Sequence, residues 1–148
     1  MNLAYTRVAT AALLLAGASM AAAQEPTNLG ELLDKGGKRL DGAELKALLA
    51  GATSKGLSFT GQTEFVSTYA PNGKLNSRVY GMHPEVNPNF FGTWMVNDKG
   101  QICFDVTPND PRLKPAKGCS YWYSLNNAYY SAPTEERGAV VRSRKIER

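Results

Sequence analysis

The chain has 148 residues, of which 43% are hydrophobic and 20% charged, and its formal net charge at pH 7 is +4. A chain of this length can bury the core of one domain and needs no second one. With one histidine and two cysteines, the chain has few candidate ligands for a metal site.

The first 23 residues have the features of a secretory signal peptide. Arg7 supplies a positive charge, residues 8–18 form an apolar run, and three alanines at 21–23 provide an A-x-A cleavage site. The alternative, a membrane anchor, would need roughly 20 apolar residues. The sequence therefore predicts a cleaved segment 1–23, a single globular domain 24–148 without a membrane span, and a periplasmic or secreted location. Nucleic acid is not expected as a partner of an exported protein.

Two short helices are predicted at the start of the mature chain. Asn28 and Glu31 have the spacing of a capping box, and Asp41 and Glu44 repeat it before a second leucine stripe. A helix of about nine residues is not stable alone in water. The leucines of the second helix are therefore expected to dock on a sheet.

Strand and turn signals follow, beginning with two hairpins around the turns 71–73 and 98–100. Each turn has glycine in third position, which suits a type I turn followed by a left-handed residue. In the first hairpin this turn places Tyr69 opposite Leu75, which gives the hairpin one apolar face.

The second hairpin places Trp94 opposite Phe104 on one packed face, where both are expected to be structural, and directs Cys103 to the other face. Two cysteines in an exported chain most simply form a disulfide, here Cys103 with Cys119. The loop closed by such a bond corresponds to about 3 kcal/mol of stabilisation. The alternative, a reactive or metal-binding thiol pair, lacks accompanying ligands at suitable spacing.

Further strands are predicted at 119–125 and 128–131, around an Asn126-Asn127 turn, and at 139–146. The Pro-rich segment 107–118 is predicted to be an ordered loop without a strand. The fold class is therefore α+β: two short N-terminal helices, then a six- to eight-stranded antiparallel sheet curled into a small barrel or half-barrel.

The C-terminal end is basic. We interpret it as a solvated edge strand protected by charge, and the alternative is a surface for an anionic partner such as a lipid headgroup or polysaccharide. The basic residues are Arg137, Arg142, Arg144, Lys145 and Arg148.

The sequence contains no recognisable set of catalytic residues. His83 lies in a Pro-rich segment, and no Gly-x-Ser-x-Gly motif accompanies it. Glu64 and Glu85 could form a carboxylate pair for glycoside hydrolysis, but the sequence does not place them together. No catalytic residue, metal ligand or cofactor is predicted. Oxygen ligands without EF-hand spacing are supplied by Asp105, Asn109 and Asp110.

Aromatic residues are dense between positions 90 and 130, and such side chains suit binding surfaces because they combine apolar area with a polar group. The alternative is that the rings pack within the core and across strands. The candidates for ligand contact are Tyr121, Trp122, Tyr123, Tyr129 and Tyr130.

The succession of "GGKRLDGAELKALLAGAT", a hairpin with "PNG", "GTWMVNDKGQICF", a second cysteine and a Tyr-rich strand resembles a family of small exported bacterial proteins, mainly alphaproteobacterial, catalogued as a domain of unknown function. The resemblance covers roughly residues 35–146. It implies export, the Cys103–Cys119 pairing and a structural role for Gly92 and Trp94. Gly-x-Trp is also similar to the opening motif of lipocalins, and Gly-Thr-Trp to that of avidins, but the position of this motif past the middle of the chain indicates convergence.

The leading functional hypothesis is an exported, non-catalytic binding or interaction protein of the bacterial cell envelope, monomeric or a small homo-oligomer, whose ligand or protein partner is unknown. An alternative is an inhibitor of a hydrolase, a protease or lysozyme, that inserts the loop 107–118. A third hypothesis is a cell-envelope hydrolase that uses acidic residues, for which the candidates are Glu64, Glu85, Asp105 and Asp110.

Overall fold

The computed structural model describes residues 24–82 and 86–148. The predicted signal peptide and its cleavage site, together with His83 and Glu85, lie outside the described residues. Within the described residues the elements are α1 (Leu29–Asp34), β1 (Lys38–Arg39), α2 (Gly42–Leu49), β2 (Thr53–Leu57), β3 (Glu64–Tyr69), β4 (Lys74–Tyr80), β5 (Asn89–Val96), β6 (Ile102–Pro108), β7 (Ala116–Leu125), β8 (Ala128–Ala132) and β9 (Arg142–Glu147).

Strands β2 to β9 form a closed antiparallel barrel. Each strand pairs with the next one along the chain, and β9 pairs back onto β2. The short β1 lies outside this ring and pairs with the end of β7. The barrel prediction is confirmed, whereas the described residues are mostly β rather than α+β, because their two helices have only six and eight residues.

The hairpin registers agree with the sequence predictions. Tyr69 pairs with Leu75, and Trp94 pairs with Phe104. Turn geometry explains the agreement, because the third residue of both turns is a glycine with positive φ. The register fixes which side chains point into the barrel.

Helix α2 closes one end of the barrel. The Asp41 side chain accepts a hydrogen bond from the Glu44 backbone N–H, and the Glu44 carboxylate accepts one from the Asp41 N–H, which together form a capping box. The fully buried Leu45 and Leu49 then pack on apolar residues of the inner wall. We call this set the inner cluster: Leu40, Leu45, Leu49, Tyr69, Leu75, Phe90, Trp94, Ile102, Val106 and Trp122.

Helix α1 packs against the outside of the wall instead. Its Leu29 and Leu32 are buried against strands β7 and β8. None of the described helices is long and apolar enough to cross a membrane. The outer cluster beneath α1 consists of Leu29, Leu32, Tyr121, Tyr123, Tyr130, Ala132 and Val141.

The prediction that segment 107–118 contains no strand is wrong. Strand β6 continues to Pro108, and β7 begins at Ala116, so only residues 109–115 connect them. Pro108 is tolerated because it is the last residue of its strand, where its missing N–H interrupts no ladder. The prolines therefore mark the strand ends rather than excluding strands.

The interpretation of the C-terminal strand as a solvated edge is also wrong. Strand β9 pairs with β2 on one side and β8 on the other, so it has no free edge. Arg142 and Arg144 share the inward face of β9 with Ile146, because successive side chains in a strand alternate between faces. Of these two residues, both counted as surface charges, Arg144 is buried and Arg142 is half-buried.

Candidate functional site

The barrel encloses a cavity of about 340 Å³ that opens at the end opposite α2. Its lining is mostly apolar, and partly exposed Met82 and Phe104 are among the lining residues. An eight-stranded barrel has an interior of the size that either side chains or one small ligand can fill. The main apolar lining residues are Phe59, Phe65, Tyr69, Leu75, Val79, Met82, Phe90, Ile102, Phe104, Val106, Ala116 and Trp122.

Among the residues that the structure describes, Arg144 is the one charged side chain that lines this cavity. The residue is only 6% exposed, and its Nη1 donates a hydrogen bond of 2.6 Å to the carbonyl oxygen of Leu57. The guanidinium carbon lies 4.7 Å from the centre of the Phe65 ring and 5.5 Å from that of Phe59. Stacking on two aromatic rings holds the guanidinium in place.

A glycine makes room for this arginine. A Cβ on Gly56 would lie 2.4 Å from Nη1 of Arg144 and 2.8 Å from the carbonyl oxygen of Ser143, closer than such atoms can approach. Any larger residue at position 56 would therefore displace the guanidinium. Strand β2 has no side chain at this inward position, and the guanidinium of Arg144 occupies the space.

A second arginine, Arg142, lies on the same face of β9. Its Nη2 donates to the carbonyl oxygen of Phe59, and its Nε is buried with no hydrogen-bond partner among the described residues. Neither Arg142 nor Arg144 forms a salt bridge with a described carboxylate. This part of the wall therefore carries positive charge without a described counter-ion.

Burial lowers the pKa of Arg144 to about 10, and the nearby charge of Arg142 acts in the same direction. The guanidinium still remains charged at pH 7. Burial raises the pKa of Tyr69, on the cavity wall, to about 12, although the positive charge of Arg144 opposes the shift. The tyrosine therefore remains a neutral hydroxyl group.

Serines supply the remaining polarity of the wall. The hydroxyl groups of Ser67 and Ser77 lie 2.7 Å apart and hydrogen-bond across β3 and β4. The hydroxyl of Ser131 is buried and has no hydrogen-bond partner among the described residues, and Ser131 lines the cavity. An unpaired buried hydroxyl is costly unless something supplies its partner.

The three residues expected to be structural occupy different positions in the wall. Trp94 is buried, donates from Nε1 to the Ala70 carbonyl oxygen at 2.9 Å and meets Tyr69 edge to face. A Cβ on Gly92 would lie 1.9 Å from the Asp105 carbonyl oxygen, so the strands approach closely there. Phe104, 39% exposed, lines the cavity.

The predicted disulfide is confirmed. Cys103 and Cys119 are paired directly across β6 and β7, with their Cα atoms 4.0 Å apart. Cys103 points to the outer face of the wall, away from the cavity, because it alternates with the inward Ile102 and Phe104. The bond therefore fastens two strands without entering the cavity.

The five aromatic candidates for ligand contact separate into two groups. Tyr121, Tyr123 and Tyr130 lie in the outer cluster, buried under α1, where they pack rather than face open space. Trp122 lines the cavity, and Tyr129 packs against the inner cluster. Of the five candidates, only Trp122 therefore lies on the cavity wall.

The three acidic candidates within the described residues are not gathered into one site. Asp105 pairs with Lys117 at 2.8 Å on the outer face, and Asp110 forms an ion pair of 2.6 Å with Arg112 in the loop 109–115. Glu64 is an exposed residue at the start of β3. Among residues 24–82 and 86–148, no three His, Cys, Asp or Glu side chains are grouped so that they could hold a metal ion.

Sequence reasoning missed the most distinctive residue of the cavity, Arg144. The available signal was the alternation of Arg142, Arg144 and Ile146, which places both arginines on the face of an apolar residue.

No protein-family model, curated protein or solved structure matches the chain.

Proposed function

We propose that this protein is an exported, non-catalytic binding protein of the bacterial cell envelope that holds a small, mostly apolar ligand inside its barrel. The observation that carries the proposal is the cavity of about 340 Å³ with its largely apolar wall. Ligand sites in proteins are typically concave, mostly apolar and equipped with a few placed polar groups. The resemblance to the family of exported proteins of unknown function is part of the same proposal.

Side-chain size decides how much of the barrel interior is filled. At the α2 end, leucines and aromatic rings fill the interior. Elsewhere several inward positions carry serines, which are too small to meet across the barrel. A protein that needed only stability would gain from larger apolar residues there, because voids forfeit packing contacts. A space maintained by small side chains suits a ligand.

A fluorescence titration tests this proposal. The neutral probe N-phenyl-1-naphthylamine fluoresces strongly in apolar surroundings, and we expect saturable binding with one site per chain. Ala116→Trp should lower the affinity at least about tenfold, because the new indole would occupy cavity space.

The matched control is Lys117→Trp, on the same strand but with its side chain 74% exposed on the outer face. This variant should bind the probe like the wild type. No saturable binding by the wild type, or equal losses in the two tryptophan variants, would contradict binding inside the barrel.

A second candidate function, inhibition of a hydrolase, is favoured by the position and exposure of loop 109–115. The loop is anchored at its start, where the Asn109 N–H donates to the Asn89 carbonyl oxygen and the Asn109 side chain accepts from the Asn89 N–H. An anchored, exposed loop is a suitable element for insertion into an enzyme cleft. If a protease or lysozyme is inhibited, replacement of residues 110–114 by a short glycine linker should abolish the inhibition; unchanged inhibition excludes this mode.

A further inference from the structure

The interior of the barrel contains a cation in a space lined mostly by apolar side chains. Arg144 is almost completely buried, yet no described carboxylate pairs with it. Burying a charge is expensive unless an opposite charge or several hydrogen bonds compensate for it. A neutral residue would serve packing better, so the arginine calls for an explanation beyond the stability of the wall.

The hydrogen bonds of Arg144 leave part of its guanidinium unused. Nη1 donates to the Leu57 carbonyl oxygen and, at 3.4 Å, to that of Ser143. Nε and Nη2 donate to no described residue, although the side chain lines the cavity. The guanidinium is thus anchored through one nitrogen, and two nitrogens retain donor capacity.

A second unpaired polar group lies on the same wall. The Ser131 hydroxyl is buried without a described partner and also lines the cavity. Ser131 is on β8 directly opposite Arg142 of β9, one inward position along the strand from Arg144. The cavity wall therefore offers a guanidinium with unused donors and, separately, a hydroxyl group without a described partner, and both groups can bind oxygen atoms of a ligand.

We infer that the ligand is a small amphipathic anion, whose head group pairs with Arg144 and whose apolar body lies along the aromatic wall. This inference rests on the proposed function, since it names the chemical class of the ligand in the same cavity. Carboxylates and phosphates match the planar donor fork of arginine. The apolar body would contact Phe90, Phe104 and Val106, which line the cavity.

The preorganisation of Arg144 supports this assignment. Gly56 leaves space for its guanidinium, and the rings of Phe59 and Phe65 hold it in one position. A side chain fixed before binding loses little conformational entropy when a ligand arrives. The neighbouring Arg142 adds positive charge, which further favours an anion.

Matched probes test the inference by displacement of N-phenyl-1-naphthylamine. Decanoate and decyl phosphate carry an anionic head, and decan-1-ol has the same chain length with a neutral one. We expect at least one anion to bind the wild type about tenfold more tightly than the alcohol. Arg144→Gln should remove this preference while leaving the affinity for decan-1-ol within about threefold.

The control is Arg78→Gln, which removes one positive charge from the outer face of β4, where the guanidinium lies over the Tyr80 ring. This variant should keep the preference for the anion. If decan-1-ol binds the wild type as tightly as both anions, the inference is overturned but the proposed function stands. If none of the three compounds displaces N-phenyl-1-naphthylamine, the inference is overturned as well, whereas the proposed function fails only if N-phenyl-1-naphthylamine itself does not bind.

A measurement on the wild type keeps the inference testable should Arg144→Gln fail to fold. Decanoate labelled with ¹³C at its carboxyl carbon reports its own pKa by NMR. Beside a guanidinium the bound carboxylate should titrate below the free one, because a neighbouring positive charge favours the ionised form. A bound pKa above that of free decanoate would place the head group in apolar surroundings and overturn the inference.

Discussion

The two ends of the barrel are built from the same eight strands but are filled in opposite ways. At the α2 end, Leu45 and Leu49 pack on Tyr69 and Trp94 and leave the interior solid. Towards the other end, the wall carries serines and one arginine and encloses the cavity. The strand pairing is equally regular at both ends, so the difference arises from side-chain size and polarity.

The two ends of the barrel differ in how favourably their side chains are buried. The α2 end contains side chains that are buried and complementary, as expected of a core at close-packed density. The open end contains groups that are costly to bury, an unpaired cation and an unpaired hydroxyl. We therefore expect substitutions at the α2 end to change mainly stability, and substitutions at the open end to change mainly binding.

The largest expected effect is on stability, from Leu49→Ala in α2. Leu49 is fully buried in the inner cluster, so its truncation should lower the free energy of unfolding by about 2–5 kcal/mol. Val79→Ala, at a half-buried position that faces the cavity, should cost only about 1 kcal/mol. Urea denaturation of the two variants measures the difference.

Equal costs for these two variants would contradict the contrast between the ends, because they would mean that the open end is as tightly packed as the closed one. Leu33→Ala, on the exposed side of α1, provides the baseline for loss of a leucine outside the core.

The disulfide gives the next largest effect. The double variant Cys103→Ala/Cys119→Ala should lose about 3 kcal/mol, because the bond restricts the unfolded chain. Binding of N-phenyl-1-naphthylamine should stay unchanged under conditions where the variant is folded, since the bond lies on the outer face. Thermal denaturation and the fluorescence titration measure the two quantities. A weakened probe affinity in the folded variant would show that the outer face influences the cavity.

The sequence predicted the closed end better than the open one, for a physical reason. Hairpin registers follow from turn residues that are local in sequence. The pairing of Trp94 with Phe104 could therefore be predicted from the sequence. Ring closure brings β9 between β2 and β8, a long-range arrangement that no local pattern specifies. If closure of the barrel is not known, the arginines of β9 resemble those of a solvated edge strand. The position of Arg144 on the cavity wall was therefore not predicted.

The aromatic residues illustrate the same limit. Alternation correctly separated Tyr121 and Tyr123 from Trp122, but it could not say which face of the strand was inside the barrel. The position of α1 decides this, because its leucines cover the tyrosine face and leave Trp122 towards the cavity. The identity of the covered face depends on the docking of a helix about 90 residues away in sequence.

The smallest expected effect concerns Tyr69, which stands at the boundary between the two ends. Its ring meets Trp94 edge to face at 5.5 Å between centroids and also lines the cavity. Because burial raises its pKa from 10 to about 12, the unfolded chain ionises this group first as the pH rises. Its contribution to stability is therefore complete below pH 10 and is lost as the pH rises from 10 through 12.

Comparison with Tyr69→Phe isolates that contribution. Between pH 9 and pH 11 the wild type should lose about 1 kcal/mol more unfolding free energy than the variant, measured by urea denaturation at both pH values. Arg144 titrates in both proteins and opposes the loss, so the comparison removes its effect except for the coupling to the ionised Tyr69, which raises the pKa of Arg144. The raised pKa requires that water in the cavity does not reach the hydroxyl of Tyr69. If the two proteins lose equal stability, the hydroxyl is hydrated, and the solid end of the barrel begins beyond Tyr69, at Trp94.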